Sequence, residues 1–405
     1  MACLSACDGS YDLPADRRWE SAHFTYATRA SDISVCPDIL EPLEENFALL
    51  QSYLGFDWPP GVKITYEKMA GQADYQAHGG CSLPGRDACT IESTVISVEA
   101  FHLHELVHAA LWQTGFPPLA LVEGVAVVLS CGAAQFASQK PSLTWDQLAS
   151  LDYNSGSMEE VYAAGTWLVG YLLRHFDPRL FTSVYARLPS DADAGTMDAA
   201  FRDVYGQSLE SIWAAALAES QPADVCLWQC SRPPLPLDGT PVATAGVCGT
   251  VDLFHPFTLA SAAPVALTST AAALQLHACN DRTALPDEWA GPGVLGLYDL
   301  PPGSYFVESS ADAGTVTAEG SLPSLLVPTC AEATNLAPFA GLSGFRLIGP
   351  NTGGPRWYLP LLPPPAGTSL LSVTGGEALP ALCASCDPAA APTKSRAGPG
   401  RRARR

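Results

Sequence analysis

The stretch HLHELVH, residues 102–108, places three of the chain's eight histidines and one glutamate within a single heptapeptide. On an α-helix, His104 and His108 lie four residues apart and their imidazoles project from the same face. Glu105 then points about 100° around the helix axis, beside the two rings rather than between them. This spacing predicts a metal site in which the histidines are ligands and Glu105 takes a proton from a water.

The flanking sequence favours two consecutive helices. Residues 99–115, EAFHLHELVHAALWQTG, have a helical pattern, and Gly115 is well placed to end it before the turn formed by Phe116-Pro117-Pro118. Residues 119–130, LALVEGVAVVLS, are apolar on all sides and predict a second, buried helix. A membrane span over residues 119–137 is the alternative, which Gly132 and the neighbouring histidine cluster disfavour.

Glu123 is the acidic residue within this apolar segment. A carboxylate buried without a partner is costly, so a nearby cation is its simplest compensation. The proline turn lets the second helix fold back on the first, and Gly124 removes a side chain where the helices must approach. His104, His108 and Glu123 then form a set suited to zinc with one position left open, although HExxH also occurs by chance in structural helices.

HELVH, the proline turn and the segment LVEGVA together resemble the gluzincin zinc metallopeptidases, in particular the bacterial Peptidase MA-like group. The resemblance covers about residues 19–220. It implies His104, His108 and Glu123 as zinc ligands and Glu105 as the general base of peptide-bond hydrolysis. Fourteen residues separate His108 from Glu123, a short spacing that puts an aminopeptidase assignment in doubt more than the metal site.

The same resemblance implies two further features of the site. TVISV, residues 94–98, would be the edge strand along which a peptide substrate lies. A tyrosine on a later helix would stabilise the oxyanion, for which Tyr162 is the first candidate and Tyr171 and His175 are the alternatives. His102 lies off the face shared by the two ligand histidines and is interpreted as a surface or supporting residue.

The composition indicates which classes of partner and which cellular compartment are favoured. The net charge of −20 disfavours nucleic acid or an anionic membrane surface as a partner for the body of the protein. Thirteen scattered cysteines favour an oxidising compartment. Leu4-Ser5-Ala6-Cys7 resembles a bacterial lipoprotein cleavage box, which predicts membrane anchoring through a lipidated Cys7; a disulfide between Cys3 and Cys7 is the alternative.

The predicted fold class is α+β, a zincin-like domain followed by an all-β, disulfide-containing sandwich. In the first domain, strands are expected at 23–28 and 62–69, with a helix at 38–55 between them that Gly55 ends. Two later helices are expected at 161–176 and 210–220. The predicted segments are a leader or tether at 1–18, the zincin-like domain at 19–221, the β-rich domain at 222–387 and a disordered basic tail at 388–405.

The β-rich half offers weaker signals. About residues 240–330 loosely resemble the bacterial pre-peptidase C-terminal β-sandwich, and any disulfide-pinned β-sandwich fits as well. Cys226 with Cys230, and Cys383 with Cys386, have spacings that also occur at zinc sites, but an oxidising compartment favours disulfides. In the first half, Cys81 and Cys89 could form a disulfide that closes a loop.

Three hypotheses for the function follow. The first is a zinc-dependent peptidase of the bacterial cell envelope that acts on peptide or protein substrates. The second is a catalytically silent envelope protein in which the zincin fold persists and the β-domain binds a partner. The third, a β-adhesin with a helical insert, predicts no zinc.

Overall fold

The computed structural model describes residues 16–29, 35–78, 87–151, 158–243, 254–269, 274–279, 294–309, 315–320 and 344–348. Within these ranges the chain combines helices with three β-sheets, which confirms the predicted α+β class. Residues 1–15 of the predicted leader, with Cys3 and Cys7, lie outside the described residues, as do the pair Cys383 and Cys386 and the basic tail. The domain boundaries stay a prediction.

The first sheet has five strands in the order β1-β2-β3-β5-β4. The strands are β1 Arg17–Glu20, β2 Phe24–Thr28, β3 Ile64–Lys68, β4 Ala88–Ile91 and β5 Thr94–Ser97. β2, β3 and β5 run parallel, and the antiparallel strands β1 and β4 lie at the two edges. The expectation that TVISV forms the edge strand is therefore wrong, because the hairpin partner β4 pairs with its outer side.

Nine helices are present in the described part of the chain, apart from short 3-10 turns. They are α1 Leu40–Leu54, α2 Gln72–His78, α3 Leu103–Leu111, α4 Leu119–Leu129, α5 Met158–His175, α6 Pro178–Arg187, α7 Ala194–Tyr205, α8 Leu209–Ala218 and α9 Leu227–Ser231. The sequence analysis missed the short helices α2 and α9, and it also missed α6 and α7. Their N-cap signals were present, since Asp177 and Asp193 accept the backbone N–H groups of Arg179 and Thr196.

α1 covers the first sheet with one apolar face. Leu43, Phe47 and Leu50 recur at helical spacing and are buried. The ring of Phe47 meets that of Phe24 on β2 edge-on, with centroids 6.0 Å apart. The helix ends as predicted at Gly55, whose left-handed conformation lets its N–H donate to the carbonyl oxygen of Gln51.

α4 lies at the centre of the helical layer, and all of its residues from Ala120 to Leu129 are buried. Gly124 on α4 faces Gly165 on α5, where a Cβ on either glycine would overlap the backbone of the other helix. The sequence analysis expected Gly124 to admit the helix of the histidine motif, so the close approach is confirmed but the partner helix was wrong. No helix among the described residues is long and apolar enough to span a bilayer.

The second half of the described chain forms two further sheets. Their strands are β6 Val242–Ala243, β7 Phe254–Leu259, β8 Ala263–Ser269, β9 Leu274–Ala278, β10 Val294–Leu300, β11 Gly303–Ser309, β12 Thr315–Glu319 and β13 Gly344–Ile348. One sheet has the order β13-β10-β8-β12-β6 and the other β7-β11-β9. Both contribute to one apolar cluster, for example Val265 and Leu267 from the first sheet and Phe257 and Val307 from the second. The two sheets therefore pack as a sandwich.

Two disulfides involve α9, one at its N-cap residue Cys226 and one at Cys230 in its last turn. Cys226 pairs with Cys131, just after α4, and Cys230 pairs with Cys279, just after β9. The sequence analysis favoured disulfides over a second zinc site for Cys226 and Cys230, and both are disulfide-bonded, each to a more distant cysteine rather than to each other. Cys89 is also disulfide-bonded, while Cys81 lies outside the described residues.

Candidate metal centre and cleft

Two stacked tyrosines on the first sheet hold the loop before α3 through hydrogen bonds. The rings of Tyr26 on β2 and Tyr66 on β3 are parallel, with centroids 5.0 Å apart. Their hydroxyls donate to the carbonyl oxygens of Ala100 and Glu99 at 3.1 and 3.0 Å. The parallel strands β2 and β3 thereby position the loop that leads from the sheet into α3.

α3 begins after His102, whose Nδ1 accepts the backbone N–H of Glu105 at 3.4 Å. The helix ends at Leu111, and the N–H of Gly115 donates to the Leu111 carbonyl oxygen in the turn that follows. Gly115 has φ +155°, a conformation that residues with a side chain rarely adopt. The turn returns the chain so that α4 lies against α3, as the sequence predicted.

Three side-chain atoms converge between α3 and α4. Nε2 of His104 lies 3.1 Å from Nε2 of His108 and 3.2 Å from Oε2 of Glu123. The remaining distance, from Nε2 of His108 to Oε2 of Glu123, is 3.4 Å. The structure therefore brings together the three residues that were predicted as ligands.

This triangle has the dimensions of a zinc site. Two ligand atoms bound at about 2.0–2.1 Å to a tetrahedral zinc ion lie about 3.3 Å apart, close to all three distances here. Two imidazole nitrogens that face each other cannot both present lone pairs without a proton or a cation between them. Two histidines and one carboxylate also match the donor preference of zinc, so the residues fit the ion.

Burial strengthens the charge interactions between Glu123 and the two histidines. The side chain of Glu123 is 4% exposed, and burial by itself raises its pKa. The positive charge available on His108 and the hydrogen bonds from both histidines outweigh burial and hold the Glu123 pKa well below its usual range. For His108, burial lowers the pKa, but the nearby Glu123 carboxylate outweighs this and raises it. Glu123 is thus a carboxylate that stays ionised because positive charge is close.

Glu105 lies beside the triangle rather than in it. The residue is 9% exposed, and its Oε2 accepts a hydrogen bond of 2.8 Å from the hydroxyl of Thr90 on β4. Glu105 is therefore not one of the three converging side chains, as the helical spacing predicted, and its role as a general base stays a prediction.

A cleft of about 1450 Å³ opens next to these residues. His104 and Glu105 line it from α3, and Tyr162 lines it from α5. Asp87 and Ala88, at the start of the edge strand, form part of another wall. The side chains of His108 and Glu123 are less exposed than that of His104, at 13% and 4% against 18%.

No protein-family model matches this chain, and no curated protein matches it in sequence. Among solved structures, aminopeptidase A of Legionella pneumophila, in complex with aspartic acid, overlaps 74% of this chain at 10% sequence identity and a TM-score of 0.32. The overlap takes in 36% of the aminopeptidase, about a third of its length. At this TM-score the overlap bears on neither fold nor function. The gluzincin and pre-peptidase resemblances therefore stay predictions.

Of the three oxyanion candidates, the structure places one at the site. The ring of Tyr162 meets that of His104 edge-on, with centroids 5.9 Å apart, and Phe136 packs on its other side at 5.9 Å. Tyr171 and His175 instead contact each other outside the cleft, where His175 pairs with Glu219 at 2.9 Å. The geometry therefore favours Tyr162 over both alternatives.

The structure gives His102, interpreted above as a surface or supporting residue, a specific place at the site, and it adds Thr90, which the sequence analysis did not recognise. His102 lines the cleft and caps α3, and burial lowers its pKa. An N-cap position three residues before Glu105 was a signal that could have revealed its capping role. Thr90 had no local signal, because its contact with Glu105 joins a strand to a helix across the fold.

Proposed function

We propose that this protein is a zinc-dependent peptidase. The observation that carries the proposal is the convergence of His104 Nε2, His108 Nε2 and Glu123 Oε2 within 3.1 to 3.4 Å, beside a cleft that Glu105 also lines. His104, His108 and Glu123 would hold a divalent cation, and three protein ligands would leave a position for water or substrate.

The ion, when bound, acidifies water and polarises a carbonyl group. Glu105, which lines the cleft, would accept a proton from the attacking water and return it to the leaving amine. The hydroxyl of Tyr162 is the candidate donor to the oxyanion of the tetrahedral intermediate. His104 and His108 are neutral in this role, because their Nε2 lone pairs are the ligands.

The size of the cleft supports a polypeptide substrate. Pockets for small molecules usually measure about 300–1000 Å³, and this cleft of about 1450 Å³ is larger. The two disulfides around α9 indicate an oxidising compartment. We place the enzyme in the bacterial cell envelope, where the predicted lipidation of Cys7 would anchor it.

Metal content and hydrolysis together test the proposal. We expect purified protein to bind close to one zinc ion per chain, measured by elemental analysis, and to cleave a denatured protein mixture. A chelator should abolish cleavage, and added zinc should restore it. Glu105→Gln should retain zinc and lose nearly all turnover, whereas Glu210→Gln, an exposed carboxylate on α8, should behave as wild type.

The outcomes separate the competing hypotheses. Stoichiometric zinc without cleavage of any substrate would favour the catalytically silent binding protein. Absence of zinc at neutral pH with zinc supplied in excess would overturn the metal site and leave the adhesin hypothesis.

A further inference from the structure

Thr90 on the edge strand contacts Glu105 on α3. Its Oγ1 lies 2.8 Å from Oε2 of Glu105 and 2.9 Å from the main-chain oxygen of the same residue, 15 positions along the chain. We propose that Thr90 is a positioning residue whose hydroxyl holds the Glu105 carboxylate in the orientation that the reaction needs. This inference rests on the proposed function.

Of the two oxygens near the Thr90 hydroxyl, the Glu105 carboxylate forms the stronger hydrogen bond. A hydroxyl has one proton, so at any moment Thr90 donates to only one of the two oxygens. The main-chain oxygen of Glu105 lies inside α3, where the N–H four residues later is its usual partner. A hydrogen bond to a carboxylate is charge-assisted and about twice as strong as one between neutral groups.

The hairpin geometry explains why Thr90 can reach α3. β4 pairs with β5 over four residue pairs, among them Thr90 with Val95. Successive side chains of a strand point to opposite faces. Cys89 and Ile91 pack against the cluster of Tyr75 and Ile96, which leaves Thr90 on the face that meets α3. A register shift by one residue would turn the hydroxyl away from Glu105.

The contact restricts the rotation of the Glu105 side chain. A glutamate has several rotatable bonds, and misplacement of a reacting group by about 1 Å can cost on the order of 100-fold in rate. Because Thr90 engages Oε2, the second carboxylate oxygen is left to accept the proton of the attacking water. Thr90 keeps its own proton throughout, so its role is orientation and not proton transfer.

Three variants test this role by activity. Thr90→Val removes the hydroxyl at nearly constant volume and should lower kcat about 10- to 100-fold, with KM and zinc content near wild type. Thr90→Ser keeps the hydroxyl and should restore most of the loss. Thr94→Val is the matched control, because Thr94 lies in the same hairpin on the face that carries Ile96. Wild-type kcat in Thr90→Val, or no rescue by serine, would overturn the proposal.

Crystal structures test the same role without a need for turnover. The Glu105 carboxylate should occupy one position in wild type and in Thr90→Ser, and a displaced or multiple position in Thr90→Val. If even the wild-type protein hydrolyses no peptide, the proposed function fails, but the crystallographic result still decides this contact. An unmoved Glu105 in Thr90→Val would then refute the positioning role.

Discussion

Gly124 on α4 and Gly165 on α5 face each other without side chains, and each backbone occupies the place that a Cβ of the other residue would need. α4 carries Glu123, the residue directly before this contact. The packing of α4 against α5 thus contributes to the position from which Glu123 meets His104 and His108. Small residues permit this separation, since a larger one must push the helices apart.

Gly124→Ala should therefore destabilise the protein. The added methyl group meets backbone that cannot rotate away, so we expect a loss of about 1–3 kcal/mol in the free energy of unfolding, measured by urea denaturation. Gly71→Ala is the control, because a Cβ there meets nothing within 4 Å. Equal stability of the two variants would show that α4 and α5 can separate without cost.

Removal of the metal should lower the melting temperature. An ion bound only by the folded state stabilises it by about 4 kcal/mol when present at about 1000 times its dissociation constant. A chelator should lower Tm in wild type and change little in His108→Ala, which lacks one ligand. His175→Ala, which alters a histidine outside the cleft, should keep the wild-type response. A melting curve that the chelator leaves unchanged in wild type would argue against bound metal.

Tyr162→Phe should lower kcat while zinc content stays at the wild-type level. The ring contacts with His104 and Phe136 remain, and only the hydroxyl that would donate to the oxyanion is lost. Loss of one such donor costs about 100- to 1000-fold in kcat in other hydrolases. Tyr171→Phe is the matched control. If both tyrosine variants retain full kcat, the oxyanion donor is another group.

Glu44 should contribute stability that disappears in acid. Its carboxylate accepts hydrogen bonds of 2.7 Å from both the backbone N–H and Nδ1 of His23. Partial burial raises the Glu44 pKa, but hydrogen bonds from Ser21 and His23 outweigh this, so the pKa lies below the usual glutamate value of 4.5. A lowered folded-state pKa stabilises the protein above pH 4.5, and this stabilisation is lost as pH falls through the folded-state pKa.

The variant Glu44→Gln tests the direction of this pH dependence of stability. At pH 7 we expect the variant to be less stable than wild type by up to about 1 kcal/mol, the range of partly exposed pairs. The difference should shrink in urea titrations below pH 4. Glu41→Gln, on the exposed side of the same helix, is the control. A difference that grows in acid would contradict the assigned direction.

The sequence by itself determined the parts of the site that depend on local geometry. A helical period places His104 and His108 on one face and Glu105 beside them, whatever surrounds the helix. The cost of burying a lone carboxylate indicated that Glu123 must meet positive charge. The apolar run of α4 and the proline turn before it were likewise sufficient to predict a buried helix that folds back.

Only the tertiary structure decided which elements meet. It showed that β4 and not TVISV forms the sheet edge, that Gly124 faces α5, and that Cys226 pairs with Cys131. The contact of Thr90 with Glu105 is likewise visible only in the tertiary structure. Such contacts depend on strand pairing and helix crossing between distant segments, and side-chain periodicity within one segment carries no information about its partner.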